Sequence, residues 1–520
     1  MSEQPPVILD HVDFRYVDTP GGVSDIHLTL QKGDRVLLIG HNGSGKSTLL
    51  SLVGGRRMAA KGTVTVLGSD AFQDTSLNAT VSLIGIPWPP EAYFANTVDN
   101  VAAPAPFPER KADIARRLHL PIKAHVDKMS SGEKRRVQIL HGMLRPAKVY
   151  LLDECSTDID VAERATVLQL IKDECESLGA CCIYATHILD GVKDWATHVA
   201  LVADGKLISY HSTKDIDISL DSFAHTFMAK KSCQPFESYV TSALGEAPAA
   251  ASTPPSAATA VSGIETAFLA AAEGCSYKTS EEAVPVVISC KQLNYRQLFA
   301  NLTFSIQRGS RTLLLGCNGS GKSTLLNMMG GKQFFNNSSG ALTIFDKVAY
   351  DDMTLNGKIA YCGDWWVKTP GGEMHVHQML PKAATETGIT KRGELLIKLL
   401  DIDVNWDVRY ISAGEQKRVQ LLLFMYEDKP LIILDEATAD LDVDQRHELL
   451  KFLYLESALR GVTVVYTTHI FEGLRGWATD CIILDRTTKG VAKELHGSEN
   501  ISFDLITETL VNLKANEVFE

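Results

Sequence analysis

Two nine-residue stretches carry the residue types that hold phosphate: Gly40-His41-Asn42-Gly43-Ser44-Gly45-Lys46-Ser47-Thr48 and Gly316-Cys317-Asn318-Gly319-Ser320-Gly321-Lys322-Ser323-Thr324. Glycines let successive backbone N–H groups converge on an anion with no Cβ in the way, and a helix N-terminus behind them adds about half a positive charge. Each stretch follows an apolar run, Val36 to Ile39 or Leu313 to Leu315, and precedes Leu-Leu, the context of a strand, a turn and a helix start. In that context Lys46 and Lys322 reach the outer phosphates of a nucleoside triphosphate. Ser47 and Ser323, one residue on, offer a hydroxyl to the Mg²⁺ that accompanies it. One such match is weak; two in one chain, each in context, make a chance glycine turn an inadequate explanation.

A second chemistry-bearing pair recurs downstream. The buried-strand run Val149-Tyr150-Leu151-Leu152 ends in Asp153-Glu154, and Ile-Leu ends in Asp435-Glu436. An aspartate closing an apolar strand sits at the carboxyl edge of a parallel sheet, where it holds the metal's water shell beside the phosphates. Asp153 and Asp435 suit that role. Glu154 and Glu436 then polarise the attacking water, a general-base role of roughly 10²- to 10⁴-fold in rate.

These residues need a scaffold, and the chain repeats one. The glycine loops are offset by 276 residues (Gly40 to Gly316) and the acidic pairs by 282 (Asp153 to Asp435), so six extra residues separate them in the second copy. A chain of 520 residues suits two domains plus connections. Val7 to Leu30 alternates apolar and polar positions around a Thr-Pro-Gly-Gly turn, and Gly62 to Leu67 extends the same antiparallel layer. Prolines break the pattern between Ser69 and Lys128, with a helix from Glu109 to Leu118. Val137, Leu140 and Leu144 repeat at helical spacing after Ser130-Ser131-Gly132-Glu133; a strand from Cys181 to Tyr184 and a hairpin turned at Asp204-Gly205 follow. From 236 to 285 the composition turns to Ala, Ser and Pro, a linker with a short helix at Ile264 to Ala272. The copies therefore span 1–235 and 286–520.

The ordered set resembles two ABC-type ATPase domains in tandem. Met129-Ser-Ser-Gly-Glu-Lys-Arg-Arg-Val-Gln138 and Ile411-Ser-Ala-Gly-Glu-Gln-Lys-Arg-Val-Gln420 are similar to the ABC signature, and Ser-Thr-Asp158-Ile-Asp160, Thr-Ala-Asp440-Leu-Asp442, His187 and His469 follow in family order. The resemblance implies an α/β fold of two P-loop NTPase domains, each a mainly parallel core sheet with helices, an antiparallel β layer and a small helical subdomain. It also implies ATP and Mg²⁺ as cofactors, and hydrolysis in which His187 and His469 contact the γ-phosphate. The phosphate cradle is expected from Gly40, Asn42, Gly43, Ser44, Gly45, Lys46, Ser47 and Thr48, and from Gly316, Asn318, Gly319, Ser320, Gly321, Lys322, Ser323 and Thr324. Ser47, Asp153, Ser323 and Asp435 are the expected metal ligands. The two domains are expected to pair internally, with Ser412 and Gly414 capping the Lys46 site and Ser130 and Gly132 the Lys322 site. Tyr16 is the expected platform for adenine; Gln297 stands at its counterpart, with Tyr295 nearby.

The departures narrow the reading. Glu133 and Glu415 replace the signature glutamine, Ser131 and Ala413 its first glycine, and Gly85-Ile-Pro-Trp88 and Gly363-Asp-Trp-Trp366 stand where the family's coupling glutamine belongs. Thr186-His187-Ile-Leu-Asp-Gly-Val-Lys-Asp-Trp195 and Thr468-His469-Ile-Phe-Glu-Gly-Leu-Arg-Gly-Trp477 are similar to soluble, non-transporter ABC ATPases of subfamily I, some of them linked to transcription-regulatory complexes. The expected activity is a soluble ATP-driven switch on a protein assembly. A transporter subunit and a ribosome-associated translation factor are the alternatives.

Composition fits this reading. Ten scattered cysteines with no Cys-x-x-Cys pair indicate neither a zinc site nor a disulfide framework. No apolar run approaches the ~18 residues of a membrane span, so a cytoplasmic or nuclear protein without an integral membrane partner is expected. A formal charge of −12 argues against broad nucleic-acid binding. The basic runs Lys134-Arg135-Arg136 and Lys417-Arg418 read as the solvated face of a helix.

Overall fold

The computed structural model describes residues 4–17, 21–85, 88, 96–101, 107–156, 159–216, 285–336, 340–363, 366, 374–381 and 388–515. The Ile264 to Ala272 helix, all of the expected linker before residue 285, Asp158, and Asp364-Trp365 lie outside them. The chain divides between residues 232 and 233 into two compact units, each described here by itself.

In the first unit a six-stranded sheet has the order Lys206–Ser212, His198–Ala203, Arg35–Ile39, Cys181–Ala185, Val149–Asp153, Val81–Ile84. All neighbours are parallel except the outermost hairpin, where Ala203 faces Lys206 across a two-residue turn. Both turn residues, Asp204 and Gly205, have positive φ, the geometry that matches strand twist in a tight hairpin. The strands are apolar without alternation because both faces are covered. Leu37, Ile39, Tyr150, Leu152 and Tyr184 pack toward Val137, Leu140 and Ile171 of two helices. Val36, Leu38, Val149, Leu151 and Ile183 pack the other way, on Leu49 and Val53 and on the antiparallel layer. That layer is a four-stranded sheet ordered Gly22–Leu30, Val7–Arg15, Lys61–Val66, Ser69–Asp70.

The second unit repeats the plan. Its core sheet runs Ile359–Cys362, Leu431–Asp435, Thr463–Thr467, Arg311–Gly316, Asp480–Asp485, Gly490–His496, and its antiparallel layer runs Phe299–Gln307, Val286–Tyr295, Ala341–Ile344, Lys347–Val348. Two helices of the smaller helical region, Pro108–Arg117 and Ser131–Met143, match the expected elements, the first starting one residue early because Pro108 fits the first helical turn. Their counterparts are Lys391–Leu399 and Ala413–Met425.

One expectation is corrected. The basic runs are not a solvated face: Arg136, Lys417 and Arg418 are buried. Arg136 donates to Leu118 O at 2.7 Å and pairs with Glu163 at 3.0 Å, while Arg418 donates to Leu400 O at 2.9 Å and Asp401 O at 2.8 Å. Charges opposite a helix's apolar stripe resemble a solvated face until distant groups cover them. Long guanidinium stems bury readily when carbonyls and a carboxylate meet their donors.

The subfamily-like tryptophans are core anchors. Trp195 Nε1 donates to Leu168 O and Trp477 Nε1 to Leu450 O, each at 2.8 Å, tying the loop after each histidine to the long helices Val161–Leu178 and Val443–Arg460.

Candidate functional site

Each phosphate loop joins a central parallel strand to a short helix, Lys46–Val53 or Lys322–Met329, with a left-handed glycine, Gly45 or Gly321, at its N-cap. Lys46 Nζ donates to Gly40 O at 2.7 Å and His41 O at 3.1 Å; Lys322 Nζ donates to Gly316 O at 2.8 Å and Cys317 O at 3.2 Å. Both lysines are buried, folded back over their own loop. At equivalent places Ser44 Oγ and Ser320 Oγ are buried without a hydrogen-bond partner. A buried hydroxyl left unpaired costs about 1–3 kcal/mol, and an anion in the loop would remove that cost. A Cβ on Gly40 would stand 2.4 Å from Ser44 Oγ, so glycine there keeps the loop this tight.

The carboxylate pairs lie at the end of the neighbouring strand but one. Ser47 Oγ donates to Asp153 Oδ1 at 3.0 Å, which brings together the two residues expected to share a metal. Burial pushes the Asp153 carboxyl above its usual range despite Ser47 and Lys46. A half-buried carboxylate beside a hydroxyl is the hard-oxygen set that suits Mg²⁺, so the residues present fit the ion. In the second unit Asp435 Oδ1 instead accepts from Thr467 Oγ1 at 2.6 Å. Thr467 was not singled out in the sequence; its first-unit counterpart is Ala185, and the only signal was its place at a strand end facing Asp435.

Glu154 and Glu436 both adopt left-handed backbone, with φ of 47° and 48°. Such a conformation costs a non-glycine residue on the order of 1–3 kcal/mol and persists only where its surroundings hold it. Here the Glu154 N–H donates to Ala185 O and the Glu436 N–H to Thr467 O, across to the adjacent strand. The turn aims each carboxylate at a histidine: His187 Nδ1 lies 2.7 Å from Glu154 Oε2, and His469 Nε2 lies 2.9 Å from Glu436 Oε1. Burial works to raise both carboxyls, yet His187 with Lys46 holds Glu154 below its usual range, and His469 with Lys322 and Lys417 brings Glu436 down to about 2. Both remain ionised bases at neutral pH.

Ser130 and Ser412 cap the helices that begin beside them, and the glutamates that stand in place of glutamine complete the caps. Glu133 Oε2 accepts from the Ser130 N–H at 2.9 Å and from its Oγ at 2.8 Å; Glu415 Oε2 accepts from Ser412 at 2.7 Å in both bonds. These are reciprocal capping boxes. Ser130 and Ser412 are exposed, Gly132 is buried and Gly414 half-buried.

At the start of the Gly85 to Trp88 segment, Gly85 has φ of 131° and a Cβ there would stand 1.9 Å from Asp153 O. No side chain fits that backbone. The Gly85 carbonyl accepts from Arg135 at 2.8 Å, and in the second unit the Trp366 N–H donates to Gln420 Oε1 at 2.7 Å. At the expected base platform, Tyr16 Oη is 3.1 Å from Thr48 Oγ1, and the Arg57 guanidinium lies 4.7 Å over its ring. Tyr295 lines a cavity of about 420 Å³ with Arg296, Gln333 and Phe334.

The ABC transporter family profile matches residues 23–157 and 299–439. ABC transporter I family member 20 of Arabidopsis thaliana is 42% identical over 198 residues, 36% of this chain and 60% of that protein. CCR4-associated factor 16 of Saccharomyces cerevisiae is 32% identical over 217 residues, 38% of this chain and 75% of the relative. Among solved structures, one titled RNase-L Inhibitor aligns with a TM-score of 0.66 at 18% identity, covering 96% of this chain and 93% of that one, a likeness of fold. Among the described residues no helix is long and apolar enough to cross a membrane.

Proposed function

Because the chain belongs to the ABC transporter family and carries two of its ATPase domains, we propose that it works as a twin ATPase switch on a protein assembly rather than as a transport subunit. The observation that carries this reading is the recurrence, in both units, of an ionised glutamate held by a histidine at the end of the strand that also bears the metal-site aspartate.

In this reading Lys46 and Lys322 turn from their loop carbonyls to the β- and γ-phosphates of ATP, and the hydroxyls of Ser44 and Ser320 gain their missing partner. Ser47 with Asp153, and Ser323 with Asp435, would hold Mg²⁺, which neutralises phosphate charge when bound. Glu154 and Glu436 accept the proton of the attacking water, and His187 and His469 fix each carboxylate and face the γ-phosphate. By the family resemblance, Ser412 and Gly414 would complete the Lys46 site and Ser130 and Gly132 the Lys322 site, the serine hydroxyls exchanging their bonds to Glu415 and Glu133 for phosphate. Phosphate contacts made only in the paired state would make ATP a ligand that shifts the population toward it. Against coupling to a membrane subunit stand the segments Gly85 to Trp88 and Gly363 to Trp366, which carry no glutamine in the region where the family's coupling glutamine belongs. A protein client draws support from the yeast relative, which is named as a CCR4-associated factor.

The test is steady-state hydrolysis by the purified full chain, with affinity capture on a Glu154→Gln, Glu436→Gln chain held with ATP. Mg-ATP turnover that Lys46→Ala with Lys322→Ala removes is expected, as is ATP-dependent capture of a protein assembly. Absence of nucleotide binding at about 1 mM ATP, the upper end of common KM values, overturns the reading. Ser412→Arg is expected to stop hydrolysis at the Lys46 site while the Lys322 site still binds; silencing of the Lys322 site alone would show that each unit works by itself.

A further inference from the structure

Arg446, in the first turn of the helix Val443–Arg460, holds two loops at once. Its guanidinium donates to Leu441 O at 3.2 Å and pairs with Glu472 at 3.0 Å, with both side chains only 3% exposed. Leu441 lies in the segment that leaves the strand Leu431–Asp435 with Glu436 at its start. Glu472 lies three residues beyond His469, in the segment that leaves the neighbouring strand Thr463–Thr467. These segments therefore meet twice: His469 Nε2 faces Glu436 Oε1 at 2.9 Å in the candidate hydrolytic centre, and Arg446 joins them again in the core. A hydroxyl–hydroxyl bond between Thr438 and Tyr466 ties the first segment to the neighbouring strand as well. One turn further along the same helix, Leu450 O accepts from Trp477 Nε1 at 2.8 Å, so one helix holds the histidine loop at two points. A guanidinium suits a double contact of this kind because its donors form a rigid planar fork. The first unit keeps the guanidinium with a different grip: Arg164 donates to Ile159 O at 3.5 Å, and the acid at the matching loop position is Asp190, one methylene shorter.

We propose that Arg446 is a positioning residue of the second unit's hydrolytic centre, a buried brace that fixes the histidine loop against the Glu436 segment and so sets where His469 meets the base. The inference rests on the proposed ATPase reading. Its action runs through His469. Without the brace the two strand ends stay paired, since Asp435 remains opposite Thr467, but the loops beyond them lose a contact that fixes their separation. Alignment suffers more than nucleotide affinity: a misplacement of about 1 Å can cost on the order of 10²-fold in rate. The phosphate loop, by contrast, is built from a different strand and from the helix Lys322–Met329, which the brace does not hold.

The experiment uses the full chain carrying Glu154→Gln, so that only the second unit keeps an intact base. Arg446→Met alone would strand a buried carboxylate, so the deciding variant is Arg446→Met with Glu472→Leu, which removes the ion pair whole and is expected to keep a urea midpoint near the parent's. Its kcat should fall about tenfold while KM for ATP stays within about twofold, the split that marks an interaction felt in the transition state. The same pair of changes added to His469→Ala should leave kcat within about twofold of His469→Ala alone, because residues that act through one another are not additive. Arg446→Lys keeps a charge opposite Glu472, and with it the fold, yet should leave kcat about threefold or more below the parent, since an ammonium lacks the fork. A deciding variant with parental kcat, a loss confined to KM, full additivity with His469→Ala, or full activity of Arg446→Lys overturns the inference and leaves the ATPase reading standing. If the deciding variant does not regain its urea midpoint, Arg446→Lys decides. A Glu154→Gln chain that binds a fluorescent ATP analogue but shows no turnover would overturn that reading for the second unit and the inference with it.

Discussion

His469 Nε2 sits 2.9 Å from Glu436 Oε1, and the pairing is repeated by His187 and Glu154 at 2.7 Å in the other copy, through the opposite ring nitrogen. Each pair joins two loops at the ends of adjacent strands, and each glutamate reaches its histidine only because its backbone turns left-handed. The histidine thus fixes where the base points as well as keeping it ionised. Replacing both histidines by alanine is expected to lower kcat by about 10- to 100-fold, less than the roughly 10²- to 10⁴-fold expected when both glutamates become glutamine. Steady-state ATPase assays compare the two; a histidine effect as small as twofold would contradict the positioning role.

The depressed Glu436 carboxyl makes stability depend on pH. Burial opposes ionisation, but His469, Lys322 and Lys417 outweigh it and bring the group to about 2. A carboxyl that ionises more readily folded than unfolded adds stability above its unfolded value, and that contribution disappears as pH falls toward the folded value. In urea unfolding, the gap between the native chain and Glu436→Gln should narrow steadily from about pH 6 to about pH 3. A gap that widens on acidification would contradict the assignment.

Arg136 and Glu163 form a buried ion pair at 3.0 Å, with side chains 6% and 2% exposed. Removing one partner leaves an uncompensated buried charge, so Arg136→Met should destabilise the first unit by about 3–5 kcal/mol. Adding Glu163→Leu should recover most of that loss, because the penalty comes from the stranded carboxylate. Chemical denaturation of the three variants measures it, and an Arg136→Met loss under about 1 kcal/mol would place the pair among surface bridges.

Gly85 and Gly363 occupy matching places with different tolerance. A Cβ at Gly85 meets the Asp153 carbonyl at 1.9 Å on a backbone of φ 131°, whereas at Gly363 it meets the Tyr361 ring at 2.7 Å. A backbone carbonyl in a core strand cannot step aside, but the Tyr361 ring, though buried, can turn about its own side-chain bonds. Gly85→Ala should therefore fall at or above the upper end of the about 1–3 kcal/mol typical of overpacking, and Gly363→Ala near its lower end. Equal melting shifts for the two would refute the difference.

Short-range pattern made the phosphate loops, the Asp-Glu strand ends and the duplication legible from residue order alone, while the histidines stood on family resemblance. A glycine turn, a helix cap or a buried parallel strand is set by residues within a few positions of one another, and such rules survive in any fold that contains them. The capping boxes were equally visible in Ser130-x-x-Glu133 and Ser412-x-x-Glu415, though the glutamates read first as departures from a family pattern.

Tertiary structure alone decided which charges are buried and which backbones admit a side chain. Arg136 and Lys417 stand in runs that look solvated, and only Glu163, Asp440 and the carbonyls brought to them from distant segments make their burial favourable. The partner of each metal-site aspartate, Ser47 in one unit and Thr467 in the other, follows from strand order, which brings side chains 106 and 32 positions apart into contact. The need for glycine at position 85 follows from the approach of the Asp153 carbonyl. Each of these depends on distances between elements that no local spacing encodes, because burial and close contact are properties of the packed chain.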